Sequence, residues 1–219
     1  MKAAKQAPVV TPDSKLKMKR IGFFGGSFDP IHLGHLNLAL QILEQHNLDQ
    51  IFFCPNSQSP HKTETPPVAT KEHRRAMVVA AIAPIPKFTF LDVEIQKSSP
   101  SFTIDTIHSL YKTEAKGKKQ IYLILGEDAL ANFHQWKEVE ELVALAPPLV
   151  GSRSDAALPK SLSKPLLAAL QKGMTKTPIM EVSSTEIRRR LQLGLYCGHL
   201  LPAKVWDYIN TNQLYHQSS

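Results

Sequence analysis

Short apolar runs alternate with amphipathic helical patterns along most of this chain, and that alternation limits the possible folds more than any other feature. Near-continuous apolar runs separated by helices are typical of parallel strands that helices cover on both faces. The sequence therefore predicts a doubly wound α/β fold with a mostly parallel sheet and a helical segment at its C-terminal end. The predicted strands are Arg20–Gly25, Gln50–Cys54, Phe88–Asp92, Gln120–Leu125, Pro148–Gly151 and Pro178–Glu181. The predicted helices are Leu33–His46, Thr70–Ala83, Thr103–Ala115, Ala129–Phe133, Val139–Ala146, Lys164–Lys172, Ser184–Leu193 and Pro202–Thr211.

A glycine-rich turn, GGSFDPIHLGH at residues 25–35, joins the first predicted strand to the first predicted helix. Exposed backbone N–H groups and the positive end of a helix dipole favour a phosphate group at such a turn. His32 and His35 add imidazole donors, and Gly34 between them keeps side-chain bulk away. The turn matches neither the dinucleotide-binding glycine fingerprint nor the P-loop. It therefore predicts an anion site of another kind.

The net charge of +7 comes mostly from the first 20 residues, where six Lys and Arg side chains stand against Asp13 alone. Such a segment is typical of an extension without fixed structure. We therefore expect residues 1–19 to lie outside a single domain of residues 20–219. The nearly neutral remainder offers no broad basic face, which argues against a nucleic-acid partner. A nucleic-acid-binding arm remains an alternative for the extension alone.

The chain has two cysteines, Cys54 and Cys197, which are far apart and lie outside any paired motif. This usage is typical of a reducing compartment and argues against a cysteine-based zinc site. No apolar run is as long as a membrane span, and the Lys-rich start does not resemble a secretory signal. We therefore expect a cytoplasmic protein with no membrane partner. No cluster of residues in the sequence predicts a resident metal ion.

The turn and several later motifs resemble those of the bacterial nicotinate mononucleotide adenylyltransferases. This family belongs to the nucleotidyltransferase superfamily, whose signature is a His-x-Gly-His segment in the same setting. The similar motifs follow in the family's order and cover residues 20–215. After the turn they are Ser59–Lys62, Ser101–Thr106, Leu125–Asp128, Phe133–Trp136, Val182–Arg188 and Leu201–Tyr215.

The resemblance implies a Rossmann-like nucleotidyltransferase fold and adenylyl transfer from ATP to nicotinate mononucleotide in NAD biosynthesis. It implies Mg²⁺ carried mainly by the ATP phosphates. Carried over residue by residue, it assigns catalysis to His32 and His35. The implied ATP-binding residues are Gly25, Gly26, Ser27, Phe28, His35, Ser184, Thr185 and Arg188. The implied mononucleotide-binding residues are Lys62, Thr106, Asp128 and Trp136.

Several of these residues have a structural alternative. Ser184 and Thr185 lie where a helix cap is expected, and a lone tryptophan such as Trp136 is typical of a core. Lys62 in a Pro-punctuated loop suits a solvated side chain, and Thr106 suits a polar group at a helix start. His73-Arg74-Arg75 is expected on a solvated helix face, and an arginine near a phosphate site remains the alternative.

Alternatives also remain at the level of function. Nicotinamide mononucleotide or phosphopantetheine could be the acceptor, and the chain could be a nucleotide-binding regulator without catalysis. The Ser-Ser-Thr-x-Ile-Arg form at residues 183–188 and the His-x-Trp run at residues 134–136 disfavour phosphopantetheine. The sequence leaves open the choice between acid and amide, the oligomeric state, the role of the N-terminal extension and any contact by Arg153.

Overall fold

A computed structural model describes residues 18–58, 66–97, 99–113, 119–152, 158, 162–178 and 180–216. The strands are β1 Lys19–Gly26, β2 Gln50–Pro55, β3 Phe88–Phe90, β4 Lys119–Gly126, β5 Pro148–Ser152 and β6 Met174–Lys176. The α-helices are α1 Leu33–Gln45, α2 Lys71–Ile82, α3 Thr103–Thr113, α4 Val139–Leu145, α5 Lys164–Gly173, α6 Ser184–Gln192 and α7 Ala203–Thr211. A 3₁₀ helix spans Glu127–Gln135.

The six strands form one sheet in the order β3-β2-β1-β4-β5-β6, and every neighbouring pair is parallel. This confirms the predicted doubly wound α/β class. The strand order reverses between β1 and β4, and open α/β sheets bind ligands in the crevice beyond the carboxyl ends of the strands at this point. The glycine-rich turn begins at the carboxyl end of β1, so the fold places it beside that crevice.

Successive β1 side chains supply the two faces of the sheet, because side chains alternate along a strand. Phe24 joins a core cluster with residues of α1, α2, α6 and α7, including Ile42 and Met77. Phe23 joins a second cluster with residues of α3, α4 and α5, including Leu142. The helices therefore cover both faces. None of the helices in the described ranges has both the length and the apolar character that crossing a bilayer requires.

The last strand corrects one prediction. The strand expected at Pro178–Glu181 is wrong: β6 lies earlier, and Pro178, Met180 and Glu181 are outside any strand. The reason is Gly173, where an added Cβ would lie only 1.8 Å from the Pro148 carbonyl oxygen. The absence of a side chain lets α5 end against β5, so the next residues pair with β5 at once.

Two further differences are local. The segment expected as a helix at Ala129–Phe133 belongs to the longer 3₁₀ helix, and β1 begins at Lys19, one residue before the predicted domain boundary. Residues 1–17 lie outside the described residues, so the N-terminal extension stays a prediction.

Candidate active site

The turn after β1 brings backbone close to a buried aromatic ring. Phe28 is 2% exposed and has a φ of 48°, in the left-handed region that residues other than glycine rarely adopt. Its ring lies edge-on to Phe24, with 5.5 Å between centroids. A Cβ on Gly26 would approach that ring to 3.2 Å, so the close approach favours glycine here. Gly25 is exposed and Ser27 is half-buried, which leaves this part of the turn open to a ligand.

His32 and His35 begin α1 and stack on each other, with 3.7 Å between ring centroids. The His32 backbone N–H donates to His35 Nδ1 at 3.2 Å. Because Nδ1 accepts this bond, the proton of a neutral His35 sits on Nε2. Burial of the ring, together with the neighbouring His32, holds the pKa of His35 well below its usual range. At neutral pH His35 is therefore an uncharged imidazole with one N–H donor.

Gly34 keeps the His32 ring in its place. A Cβ at position 34 would lie 3.0 Å from His32 Nδ1 and 3.1 Å from its Cε1. Val182 Cβ lies 3.6 Å away, so the added atom would have little room to move. The glycine of the His-x-Gly-His segment therefore has a steric reason at this position.

The start of α6 is attached to the glycine-rich turn. Ser184 Oγ donates to the Pro30 carbonyl at 2.9 Å, and Arg188 donates to the Asp29 carbonyl at 2.7 Å. Arg188 also donates to Thr185 Oγ1 at 3.3 Å, and Thr185 itself is exposed. Ser183 Oγ caps the helix by accepting the Glu186 N–H. Two segments about 150 residues apart thus meet at the glycine-rich turn, and both belong to the residues that the family resemblance assigns to ATP.

Arg74 was expected on a solvated face, and that prediction is wrong: Arg74 is 1% exposed. Its guanidinium donates to the carbonyls of Ser27, Asn56 and Ser57 at 2.8, 2.7 and 3.0 Å. Arg74 therefore ties the glycine-rich turn to the segment after β2. The helical periodicity of α2 could have predicted this burial, because Arg74 lies three residues before buried Met77 and therefore on the same face of the helix.

Thr106 is 2% exposed, and its hydroxyl donates to Glu94 Oε1 at 2.7 Å. Burial raises the pKa of Glu94, while the hydrogen bond from Thr106 opposes the rise. Glu94 was not predicted as a site residue, because it lies seven positions before the Ser101–Thr106 motif. A contact from Thr106 to the mononucleotide stays a prediction, since its oxygen can still accept a hydrogen bond.

Asp128 and Trp136 lie at opposite ends of the 3₁₀ helix that follows β4. Asp128 is exposed. Trp136 is half-buried, with its ring edge-on to buried Phe133 at 5.1 Å between centroids. A half-buried indole can pack on one side and meet a ligand on the other. Lys62 and Arg153 lie outside the described residues.

The described residues hold one group of His, Asp, Glu or Cys side chains close enough to share a metal ion: His108, Glu138 and Glu141. His108 lies on α3, Glu138 is the N-cap of α4 and Glu141 lies in the first turn of α4, whereas the glycine-rich turn joins β1 to α1. At the turn itself, the Asp29 carboxylate already accepts hydrogen bonds from Val68, Ala69 and Tyr215. The side chains described around the turn therefore do not fit a directly held magnesium ion.

The parallel sheet, the turn at its switch point and the histidine pair define a cytidylyltransferase-like nucleotidyltransferase, and the model of the cytidylyltransferase-like family matches residues 23–190. A relative from Synechococcus sp. (strain JA-3-3Ab), named "Probable nicotinate-nucleotide adenylyltransferase", is 38% identical over 201 residues, covering 91% of this chain and 96% of the relative. A Pseudomonas aeruginosa relative with the same name is 36% identical and covers 90% and 97%. This chain belongs to the nicotinate-nucleotide adenylyltransferase family.

A solved structure supports the fold. The Plasmodium falciparum nicotinic acid mononucleotide adenylyltransferase, solved in complex with NaAD, matches with a TM-score of 0.70 at 21% identity. The match covers 90% of this chain and 97% of that chain. At this identity the similarity establishes the Rossmann-like fold alone.

Proposed function

We propose that this protein transfers the adenylyl group of ATP to nicotinate mononucleotide, releasing pyrophosphate and forming nicotinate adenine dinucleotide. The observation that carries the proposal is the histidine pair at the switch point, with the start of α6 attached to the same turn. This arrangement collects hydrogen-bond donors where a triphosphate would lie. Membership of the family supports the choice of acceptor.

The reaction is an in-line displacement at the α-phosphorus of ATP. An oxygen of the mononucleotide 5′-phosphate forms a bond to that phosphorus. The bond to the bridging oxygen of the β-phosphate breaks, and pyrophosphate leaves with the electron pair. The attacking oxygen is already an anion at neutral pH, so the step needs no general base. Positioning and charge stabilisation then supply the rate enhancement.

We assign the triphosphate to the turn and to the start of α6. His35 Nε2–H would donate to an oxygen at the α-phosphorus, where negative charge develops in the transition state. His32 would contact a neighbouring phosphate oxygen. The backbone at Gly25, Gly26, Ser27 and Phe28, with the side chains of Ser184, Thr185 and Arg188, would hold the remaining oxygens.

The hydroxyl of Ser184 and part of the Arg188 guanidinium already bind the turn. Their remaining capacity is what the phosphates would use, because guanidinium offers five N–H donors and a hydroxyl oxygen also accepts. This double use would hold the two segments together around the ligand.

We assign the mononucleotide to the crevice beyond β4. Trp136 would stack on the pyridinium ring, since an electron-rich indole face attracts a cationic ring. Asp128 would accept from a ribose hydroxyl, Lys62 would approach a phosphate, and Thr106 would line the pocket near the start of α3. Magnesium would enter with ATP as part of the substrate, keeping several waters.

The test is pyrophosphate release from ATP with nicotinate mononucleotide, nicotinamide mononucleotide or phosphopantetheine as parallel acceptors. We expect the fastest release with nicotinate mononucleotide. A faster reaction with another acceptor would reassign the substrate within the superfamily. ATP binding without pyrophosphate release from any acceptor would indicate a nucleotide-binding regulator instead.

A further inference from the structure

The Asp29 carboxylate lies at the centre of a buried polar network beneath the glycine-rich turn. Asp29 is 4% exposed. It accepts the backbone N–H groups of Val68 at 2.7 Å and Ala69 at 3.1 Å, and the hydroxyl of Tyr215 at 2.7 Å. Tyr215 lies 186 residues further along the chain. The C-terminal segment is therefore tied directly to the turn that we assign to ATP.

The chain after α7 is bent to bring Tyr215 to this position. Gln213 and Tyr215 have φ angles of 51° and 68°, in the left-handed region. Non-glycine residues there carry backbone strain, which persists only where surrounding contacts hold it. Tyr215 is 7% exposed and packs in the same core cluster as Phe28. Burial and the neighbouring Asp29 carboxylate raise the pKa of Tyr215, so its hydroxyl stays a donor.

Three carbonyl groups of the turn are held by side chains from elsewhere in the fold. Arg74 donates a hydrogen bond to the Ser27 carbonyl, Arg188 donates to the Asp29 carbonyl, and Ser184 donates to the Pro30 carbonyl. Carbonyl oxygens facing a triphosphate would repel it, so turning them inward favours anion binding. The Asp29 carboxylate also lies 3.7 Å from the Arg188 guanidinium and opposes its positive charge.

The Tyr215 hydroxyl donates the shorter of the two hydrogen bonds that Asp29 Oδ1 accepts, 2.7 Å against 3.1 Å from Ala69. Without that hydroxyl, Oδ1 would keep the longer bond from Ala69, and a weakened set of hydrogen bonds to a buried carboxylate is unfavourable. The carboxylate would then rotate toward Arg188, whose guanidinium lies 3.7 Å from Oδ2. That rotation would draw the guanidinium inward, away from the phosphates.

We propose that Tyr215 is a positioning residue for the triphosphate, acting through Asp29 to set the orientation of the phosphate turn and of Arg188. The proposal rests on the assignment of ATP to this turn. It extends the site to the C-terminal segment that follows α7.

The experiment uses the full chain with Tyr215→Phe, which keeps the packed ring and removes only the hydroxyl. Calorimetry measures the affinity for α,β-methylene-ATP, and thermal unfolding measures Tm. We expect binding about tenfold weaker, the size of effect that loss of one hydrogen bond to a charged group gives. The KM for the mononucleotide stays within about twofold.

Tyr111→Phe is the matched control. The Tyr111 hydroxyl is also part-buried and donates to the Leu145 carbonyl at 2.9 Å, but it lies between α3 and α4. The Tyr111→Phe substitution should lower Tm and leave the affinity for the ATP analogue unaltered. An additional Arg188→Lys substitution should shrink the Tyr215→Phe effect, because both act through Asp29.

The outcomes separate the two proposals. One outcome is that the Tyr215→Phe variant binds the analogue with wild-type affinity, whether or not its Tm falls as that of the Tyr111→Phe control does. In that case Tyr215 has a structural role alone, and the positioning role is overturned. Additive effects of the Tyr215 and Arg188 substitutions would also overturn it. If the wild-type protein itself binds no analogue, the proposed function fails, whatever the variant does.

Discussion

Replacing His35 by asparagine tests the assignment of the catalytic donor, because the two ring nitrogens have different partners. Nδ1 accepts the His32 N–H at 3.2 Å, so Nε2–H is the one donor left for substrate. The Asn side-chain oxygen can take over the Nδ1 contact but cannot reach the Nε2 position. Loss of one preorganised donor at a developing charge lowers kcat by about 10² to 10³.

We expect His35→Asn to lower the free energy of unfolding by less than it raises the activation free energy of the reaction. The substitution removes the ring that stacks on His32 and lies edge-on to Phe28 at 5.1 Å between centroids. Each aromatic pair contributes about 0.5–1.5 kcal/mol, so loss of both costs about 1–3 kcal/mol, which for a chain of this length corresponds to a fall in Tm of about 2–12 °C. Reduced kcat with a folded protein would therefore separate chemistry from folding.

The assay is pyrophosphate release at saturating ATP and nicotinate mononucleotide, with Tm measured on the same samples. His35→Gln places an amide donor near the Nε2 position and should retain more activity than His35→Asn. His46→Asn is the control, since His46 ends the same helix and bonds Thr175 Oγ1 at 2.7 Å. A His35→Asn enzyme with near wild-type kcat would refute the role of Nε2–H.

Three further predictions follow from the same geometry. Gly34→Ala should lower kcat/KM for ATP about tenfold, because the new Cβ displaces the His32 ring by a few tenths of an ångström; unchanged kinetics would show that the ring position is unimportant. The lowered pKa of His35 means that the unfolded chain binds its proton first as pH falls below the ordinary value of 6.5, so the free energy of unfolding should decrease below about pH 6.5. Urea titrations across this window should show a shallower decrease in His35→Asn, and identical slopes would contradict the burial argument. Trp136→Ala should raise the KM for the mononucleotide about 3- to 30-fold and that for ATP much less. Equal changes in both would indicate that Trp136 only packs on Phe133.

The sequence predicted local structure best where the residues lie in one continuous segment. The turn at residues 25–35 sits between a strand and a helix as expected, because apolar periodicity and glycine chemistry are local properties. The meeting of Ser184 and Arg188 with the same turn was expected from the family resemblance alone. No local pattern indicates that α6 would lie beside β1, since that contact depends on how the whole chain winds around the sheet.

The buried polar residues that hydrogen-bond to the site from other parts of the fold were not predicted from the sequence. Arg74 carries a charge that suggests solvent, yet its hydrogen bonds to three carbonyls allow it to be buried. Glu94 and Tyr215 likewise bond to partners distant in the sequence, Thr106 and Asp29. Long-range polar pairs leave no periodic signal, so sequence reasoning had no means of detecting them.

The sequence by itself determined the class of fold, the place of the glycine-rich turn between β1 and α1, and the family, because these depend on short-range patterning and on motif order. Only the tertiary structure decided that β6 precedes its predicted position, that Arg74 is buried, and that Tyr215 reaches Asp29 beneath the turn. The physical reason is that the energy of a buried polar group depends on its partners in space, and the folded chain alone decides which partners it meets.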